Sequence, residues 1–319
     1  MNSQVKYLLT LPQHPQRSKE WYQARENKIT ASIGATFLFK DDKTCDPYIA
    51  EFNIQKFIKD PSSCCNPYAD RDQYIHEKVT GISSFQGNVA TYWGQKYEPI
   101  ATQLYSMRTG KEVLEFGLIP HKYIDWLAAS PDGITPEGRM LEIKCPYRRK
   151  ITGIPPFYYW IQVQLQLEVC DLDVCDFLEC EFIEYCSVGE FLDDSLEKGS
   201  IESKGIFLQI ETIPDDPAKK TYVYPGGDIQ SEDEYLEWEK KERMNCKLKL
   251  NQIVKPVYWK LVVYSCVPIR RNKEWFKAIR DDLELTSKEI KMKKDQLVHR
   301  RNKFTTSYQD TCLLDEDDE

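Results

Sequence analysis

The stretch from residue 112 to residue 185 constrains the fold most, because strand-like runs on both sides of one helical run predict an α/β domain. The turn sequences Pro131-Asp132-Gly133 and Pro136-Glu137-Gly138 bound two of these runs. In chain order, the predicted elements are strands at 112–119, 123–130 and 139–144, a helix at about 156–170 and a strand at about 174–185.

Further elements are predicted on both sides of this stretch. Helical patterns cover 17–27, 88–109, 231–250 and the chain from 275 onward, and a buried strand is predicted at 258–269. Ser32 is a candidate N-cap for a second short helix. Residues 40–88 contain several prolines and glycines and suggest a partly helical surface excursion. We therefore predict a single domain at 1–310, with insertions at about 40–88 and 187–255 and an acidic tail at 311–319.

Composition excludes several classes of protein. With 41% hydrophobic and 29% charged residues, the chain is neither disordered nor fibrous. No run of about eighteen apolar residues occurs, so no membrane span is expected. Eleven cysteines without a secretory signal indicate reduced thiols in an intracellular protein. The net charge of −8, five units of which belong to the tail 315–319, argues against non-specific coating of nucleic acid.

Three residues near the second and third predicted strands are candidates for a catalytic site. Asp132 follows one strand, and Glu142 and Lys144 lie two positions apart on the next, so their side chains point to the same face. Carboxylates are hard ligands for Mg²⁺, and a nearby lysine can orient or deprotonate a water or stabilise a charged transition state. The pattern suits metal-dependent phosphodiester hydrolysis, although such spacing alone is common in chains rich in acids and lysines.

Five motifs in a fixed order make the pattern specific. They are Trp21-x3-Arg25 with Ile29-Thr30-Ala31-Ser32, Trp93-Gly94-x3-Glu98, Ser130-Pro131-Asp132-Gly133, Glu142-Ile143-Lys144-Cys145-Pro146 and Gln162-Val163-Gln164. This order resembles the phage lambda exonuclease family, also called the YqaJ-type viral recombinase nucleases, of the restriction-endonuclease-like PD-(D/E)xK superfamily. The resemblance covers about residues 17–290 and implies a central mixed β-sheet flanked by helices.

The resemblance also implies an activity and a role for each matching residue. It implies a 5′→3′ exonuclease that uses Mg²⁺, or Mn²⁺ in its place, and degrades one strand of linear double-stranded DNA. The metal ligands would be Glu98, Asp132, Glu142 and the Ile143 carbonyl, Lys144 would orient the water, and Gln162 would lie near that water. Arg25 and Ser32 would grip the 5′-terminal phosphate. A single-strand annealing protein is a further implied partner, the family's trimeric ring leaves a homo-oligomer open, and a viral source would place the protein in the host cytoplasm or nucleus.

Other interpretations stay open at this point. An endonuclease or an RNA-degrading nuclease of the same fold would carry the same acids, and so would a non-catalytic module that binds DNA ends. Two basic groups are candidates for contacts to the DNA backbone, namely Arg148, Arg149 and Lys150, and Lys291, Lys294 and Arg301. Cys170, Cys175, Cys180 and Cys186 lack the close spacing of an iron–sulfur site, and we expect small buried thiols instead.

Overall fold

The computed structural model describes residues 1–82, 87–196, 203–211, 220–227, 229, 231–250 and 253–311, without the side chains of 247–250 and 301–311. The helices in these ranges are α1 (Ser3–Leu9), α2 (Lys19–Arg25), α3 (Ala31–Gly34), α4 (Asp42–Glu51), α5 (Arg71–Thr80), α6 (Val89–Thr109), α7 (Phe157–Cys170), α8 (Val188–Asp193), α9 (Glu232–Leu250) and α10 (Lys273–Thr311). The strands are β1 (Ile29–Thr30), β2 (Phe39–Lys40), β3 (Asp60–Cys64), β4 (Ile119–Pro120), β5 (Leu127–Ala129), β6 (Gly133–Ile134), β7 (Met140–Lys144), β8 (Val174–Glu184), β9 (Ser203–Glu211), β10 (Lys220–Val223) and β11 (Ile253–Arg270). The predicted acidic tail at 311–319 lies outside the described residues from residue 312 onward.

A six-stranded mixed sheet forms the centre of the molecule, with the strand order β10-β9-β11-β8-β7-β6. β7 and β8 are parallel and joined through α7, whereas the other neighbouring strands are antiparallel. A smaller sheet, β1-β5-β4, carries the start of the chain, and β2 pairs with β3. The predicted fold class, an α/β domain with a mixed sheet flanked by helices, is confirmed.

The two faces of the sheet bury different side chains, because successive residues on a strand point in opposite directions. On β7, Met140 packs into the core on the α7 side, whereas Leu141 and Ile143 pack into the core that contains the buried face of α6. Glu142 and Lys144 therefore share the α7 face with Met140. The alternation of the strand thus places a buried acid and a lysine beneath one helix.

Two helices, α6 and α9, have capping residues at the bounds that the sequence predicts. Asn88 caps α6, since its side-chain oxygen accepts from the Thr91 amide (2.9 Å), and Gly110 ends the helix in the left-handed region at φ 68°. Ser231 and Glu234 form the predicted capping box at the start of α9. Ser32 does not cap a helix, however, because α3 begins one residue earlier, after Thr30.

Residues 40–88 were predicted to be a partly helical surface segment, but several of their side chains belong to the hydrophobic core. Cys45, Tyr48, Cys65 and Ile75 are almost fully buried and belong to the core on the α7 side. The Trp275 indole also donates to the Thr44 carbonyl (3.2 Å), which ties α10 to α4. The segment is therefore a structural part of the domain, and its status as an insertion relative to the family stays a prediction.

Two further segments can be compared with their predictions. Residues 187–255, the second predicted insertion, contribute to the central sheet, because β9 pairs along nine residues with β11. Their status as an insertion relative to the family stays a prediction. The strand expected at 112–119 is reduced to Ile119–Pro120 and an isolated bridge from Leu114 to Ile134. One reason is that the Gly117 amide donates to the Gln13 side chain (2.8 Å), so the N-terminal segment occupies the place of a pairing strand.

Cys170, Cys175 and Cys180 are the small buried thiols that the sequence predicts, but Cys186 is exposed, because it lies beyond the end of β8. Cys175 packs on the α7 side of the sheet and Cys180 on the α6 side, while Cys186 is exposed, so these thiols do not converge. In the described part of the chain, no helix combines the length and the apolar character that a membrane span requires.

Candidate active site

One open cavity of about 710 Å³ gathers most of the residues singled out from the sequence. The hairpin β6–β7 brings Asp132 beside β7, where its carboxylate accepts from the Ile143 amide (2.7 Å). α6 contributes Glu98 from the other side of the sheet. The predicted residues on its wall are Arg25, Ser32, Glu98, Asp132, Glu142, Ile143, Lys144, Arg148, Arg149 and Gln162.

Glu142 is the centre of a buried polar network. Its side chain is 2% exposed and forms an ion pair with Lys144 on the same strand face. From α7, Gln162 donates to one carboxylate oxygen (2.5 Å) and Gln166 donates to the other (2.6 Å). Gln166 was missed in the sequence, although its position one helical turn after Gln162 places it on the same face. Each oxygen of the buried carboxylate therefore accepts at least one hydrogen bond.

Lys144 has a second neighbour in the aromatic wall of the cavity. Its ammonium lies 4.7 Å from the centre of the Tyr159 ring, a distance typical of a cation–π contact. Burial lowers the pKa of Lys144, but the charge and hydrogen bond of Glu142, together with Tyr159 and Asp132, outweigh this effect, so the net pKa lies above its ordinary value. The side chain is thus held as a cation between an acid and a ring.

The remaining acids lie in an environment that disfavours their negative charge. Burial raises the pKa of Asp132 well above its ordinary value, and the charges of Glu142 and Glu98 raise it further. Burial also raises the pKa of Glu98, an effect that the positive charges of Arg17 and Lys144 counteract. Arg17, which sequence reasoning missed, approaches Glu98 to 3.6 Å. Three carboxylates thus share one cavity wall without full compensation by cations.

The donor chemistry of these acids fits a divalent cation. Carboxylate oxygens are the ligands that Mg²⁺ and Mn²⁺ prefer, and a cation would relieve the repulsion that raises the pKa of Asp132. As the described side chains are arranged, no three of the histidine, cysteine, aspartate and glutamate residues stand close enough together to hold a metal ion. Glu142 is engaged by Lys144 and the two glutamines, and Glu98 by Arg17, so metal binding would require these acids to exchange partners.

Arg25 occupies another part of the same cavity. Its guanidinium lies 4.0 Å from the centre of the Trp21 ring and donates to the hydroxyls of Thr30 (3.1 Å) and Ser32 (3.5 Å). Burial lowers the pKa of Arg25 to about 10, which leaves it charged at neutral pH. Among the described residues, no carboxylate lies within ion-pair distance of Arg25. A half-buried cation that is bonded only to hydroxyls and stacked on a ring is suited to bind an anion.

The backbone that carries Arg25 is fastened by a lysine from the 40–88 segment. Lys78 on α5 donates to the carbonyls of Arg25 (2.9 Å) and Lys28 (2.9 Å), just beyond the end of α2. Burial and the positive charges of Arg25 and Lys294 lower the pKa of Lys78 to about 8. No sequence motif marked this lysine, because the contact spans about fifty residues.

The predicted basic groups do not form one surface. Arg148 lines the active-site cavity, Arg149 forms an ion pair with the buried Glu179, and Lys150 is exposed and does not line the cavity. Lys291 and Lys294 line a different cavity, of about 640 Å³, between α10 and the loop after α2. Lys294 donates there to the Asn27 side chain (2.7 Å). The side chain of Arg301 lies outside the described residues.

Comparisons with known proteins agree with this arrangement. Residues 20–173 match the family model described as the YqaJ-like viral recombinase domain, a span that includes Arg25, Glu98, Asp132, Glu142 and Gln162. The chain is 31% identical over 311 residues to the uncharacterised protein R354 of Acanthamoeba polyphaga mimivirus. That match covers 86% of this chain and 52% of R354, so the chain spans about half the length of this curated relative.

A solved structure has a similar fold. The crystal structure of an alkaline exonuclease from Laribacter hongkongensis gives a TM-score of 0.50 at 20% identity, over 90% of this chain and 100% of that chain. This likeness concerns the fold, because the identity is low. Together with the match of the family model, it confirms the resemblance first seen in the sequence motifs. Over residues 20–173, this chain is therefore similar to the YqaJ-like viral recombinase domain family.

Proposed function

We propose that this chain is a metal-dependent nuclease that degrades one strand of linear double-stranded DNA from its 5′ end and leaves a 3′ single strand. One observation carries the proposal: a single cavity contains both the cluster of Asp132, Glu142 and Lys144 and the half-buried cation Arg25. The first group suits phosphodiester hydrolysis, and the second suits recognition of a terminal phosphate. The family match and the exonuclease fold of the Laribacter protein support the same conclusion.

The proposed metal is Mg²⁺, with Mn²⁺ as a substitute, held by Glu98, Asp132, Glu142 and the carbonyl of Ile143. When bound, such an ion makes a water more acidic and neutralises negative charge that develops on the phosphate. We expect Ca²⁺ to support DNA binding without hydrolysis, because it forms longer and looser bonds to oxygen.

The protein side chains would orient the reactants around the scissile phosphate. Lys144 places a positive charge at the cavity wall, fixed by Glu142 and Tyr159, and can donate to the attacking water or to a phosphate oxygen. The Gln162 amide, which lies against the same carboxylate, holds Glu142 in position. Water adds to phosphorus and the bond to the 3′ oxygen breaks, so the remaining strand begins with a new 5′ phosphate. Arg25 would bind that phosphate before the next cycle.

Four substrates test this function in one assay with Mg²⁺. They are a linear duplex with a 5′ phosphate, the same duplex with a 5′ hydroxyl, a covalently closed circle and an RNA of equal length. We expect rapid loss of one strand from the phosphorylated duplex, slower loss from the hydroxyl duplex and no attack on the circle. Label placed at the 3′ end should persist on the shortening strand while label at the 5′ end is released first.

The other outcomes identify the alternatives. Nicking of the closed circle would indicate an endonuclease, and preferred loss of RNA would indicate a ribonuclease. Binding of duplex ends without cleavage, with either Mg²⁺ or Mn²⁺, would indicate a non-catalytic end-binding module. A single-strand annealing partner, a ring of three copies and an intracellular location stay predictions from the family resemblance and the composition.

A further inference from the structure

Three tyrosine rings form a row that leads from Lys144 to the rim of the active-site cavity. The Tyr159 ring, next to the Lys144 ammonium, lies with its centre 4.2 Å from that of Tyr158. The Tyr158 ring in turn meets Tyr68 edge to face, with ring centres 5.6 Å apart and planes at 88°. All three rings line the cavity. We call Tyr68, Tyr158 and Tyr159 the tyrosine track.

Tyr68 is the outermost member and is 79% exposed. Its ring therefore gains little from burial, in contrast to the aromatic residues of the core. Isolated exposed aromatic residues are common on protein surfaces and need no function. Tyr68 differs from such residues because it contacts Tyr158, whose ring in turn contacts Tyr159 beside the proposed catalytic Lys144.

The backbone of Tyr68 is held in place despite the exposure of its ring. Its amide donates to the side-chain oxygen of Asn66 (3.0 Å), and the Asn66 side chain donates to the hydroxyl of Thr36 (3.2 Å). The Asn66 amide also donates to the carbonyl of Ala35 (3.1 Å). The turn is thus fastened to the loop that follows α3, and the ring is presented at the rim at little further entropic cost.

We propose that the tyrosine track is a base-stacking site, on which unpaired nucleobases of the strand being cleaved lie between the duplex and Lys144. An aromatic face binds any base, and a base can reach it only when unpaired, so the ligand class is a frayed or single-stranded end. The neighbouring Arg148, whose exposed side chain lines the same cavity, suits the backbone phosphates of that strand. The inference rests on the proposed nuclease function and adds a subsite to it.

The experiment compares Tyr68→Ala with Tyr68→Phe, which keeps the ring, and with Tyr123→Ala. Tyr123 is a matched control, because it is 82% exposed and does not line the active-site cavity. Affinity is measured with Ca²⁺ in place of Mg²⁺, on a 5′-phosphorylated duplex whose last three base pairs are mismatched. We expect Tyr68→Ala to weaken binding on the order of tenfold, as for the loss of one stacked base, and the other two variants to bind like the parent.

A second readout locates the base directly. The same duplex carries 5-iodouracil at each of its first three 5′ positions in turn, and illumination should cross-link one of them to Tyr68 or Tyr158. With Mg²⁺, Tyr68→Ala should raise KM for the frayed duplex while kcat stays within twofold of the parent. Unchanged thermal melting would show that the exposed side chain is dispensable for folding.

Three results would overturn the inference, and the first two leave the nuclease function intact. Equal affinity of Tyr68→Ala and Tyr123→Ala, with a parent that cleaves DNA, removes the stacking site and leaves the nuclease standing. Equal loss in Tyr68→Ala and Tyr68→Phe assigns the effect to the hydroxyl and also rejects stacking. A parent that cleaves no nucleic acid with Mg²⁺ or Mn²⁺ rejects the nuclease and, with it, this subsite.

Discussion

The two ends of the active-site cavity differ in how their charged side chains are paired. Around Glu142, the charged and polar groups bond to one another, because Lys144, Gln162 and Gln166 all donate to the same buried carboxylate. Arg25, by contrast, has two hydroxyls and an aromatic ring around it and no carboxylate among the described residues. The groups around Glu142 must exchange hydrogen-bond partners to bind a metal, whereas a half-buried cation without a counter-charge gains free energy when an anion binds. The first end is therefore suited to chemistry and the second to capture of a ligand.

The largest effect on cleavage should follow from a change at the end of the cavity that contains Glu142. Asp132→Asn keeps an oxygen that can accept from the Ile143 amide but removes the negative charge of a proposed metal ligand. We expect the cleavage rate at saturating DNA to fall by at least about 10²–10³, with the fold intact. Single-turnover rates with Mg²⁺ and thermal melting measure the two effects.

The exposed Asp233 in the first turn of α9 provides a control, and Asp233→Asn should cleave like the parent. Glu142→Ala is a poorer test of chemistry, because it would leave the buried amides of Gln162 and Gln166 without their acceptor. An Asp132→Asn protein that cleaves at the parental rate would remove this carboxylate from the catalytic cluster.

An intermediate effect, on the preference for a 5′ phosphate, is expected at the end of the cavity that contains Arg25. Arg25→Ala removes a charge-assisted contact, so the preference for a 5′ phosphate over a 5′ hydroxyl should fall about ten- to hundredfold. The rate at saturating DNA should change less, since the residue positions the end and does not take part in the chemistry. The measurement is the ratio of kcat/KM on the two duplexes.

Arg280→Ala serves as the matched variant, because Arg280 is an exposed arginine paired with Asp281. It should keep the parental preference for the phosphorylated end. If Arg25→Ala also keeps that preference, the contrast between the two ends of the cavity does not concern the 5′ phosphate.

The smallest effect should come from α10, whose lysines line the second cavity. Replacement of both Lys291 and Lys294 by glutamine should flatten the slope of log affinity against log salt by about two, if each contacts one phosphate of duplex DNA. Cleavage at low salt should persist. Salt-dependent binding is measured by fluorescence anisotropy with Ca²⁺.

Lys293 offers a control on the same helix, because it is already bonded to Glu289 (2.7 Å) and does not line that cavity. Lys293→Gln should leave the salt slope unchanged. A double variant with the parental slope would assign Lys291 and Lys294 to ordinary surface and confine DNA contacts to the active-site cavity.

The sequence predicted those parts of the molecule that depend on local pattern. The turn and strand that carry Asp132, Glu142 and Lys144, and the helices α6 and α7, follow from spacing and capping over a few residues. The contact of Arg17 with Glu98 and the pairing of β9 with β11 join distant segments and leave no local periodicity. Lys291 and Lys294 lie in line on a helix, but only the tertiary structure places them in a cavity of their own. Ser32 was misassigned as an N-cap because it is the preferred residue type there, whereas α3 begins after Thr30, two residues earlier, without a side-chain cap.

Because residues 40–88 contribute side chains to the core, they limit how far this protein can be shortened. A deletion of this segment would take with it the core side chain of Tyr48 and the ammonium of Lys78 that fastens the end of α2. It would also remove Tyr68 from the cavity rim. We therefore expect minimised versions or loop-swapped chimeras that omit 40–88 to fail as folded proteins.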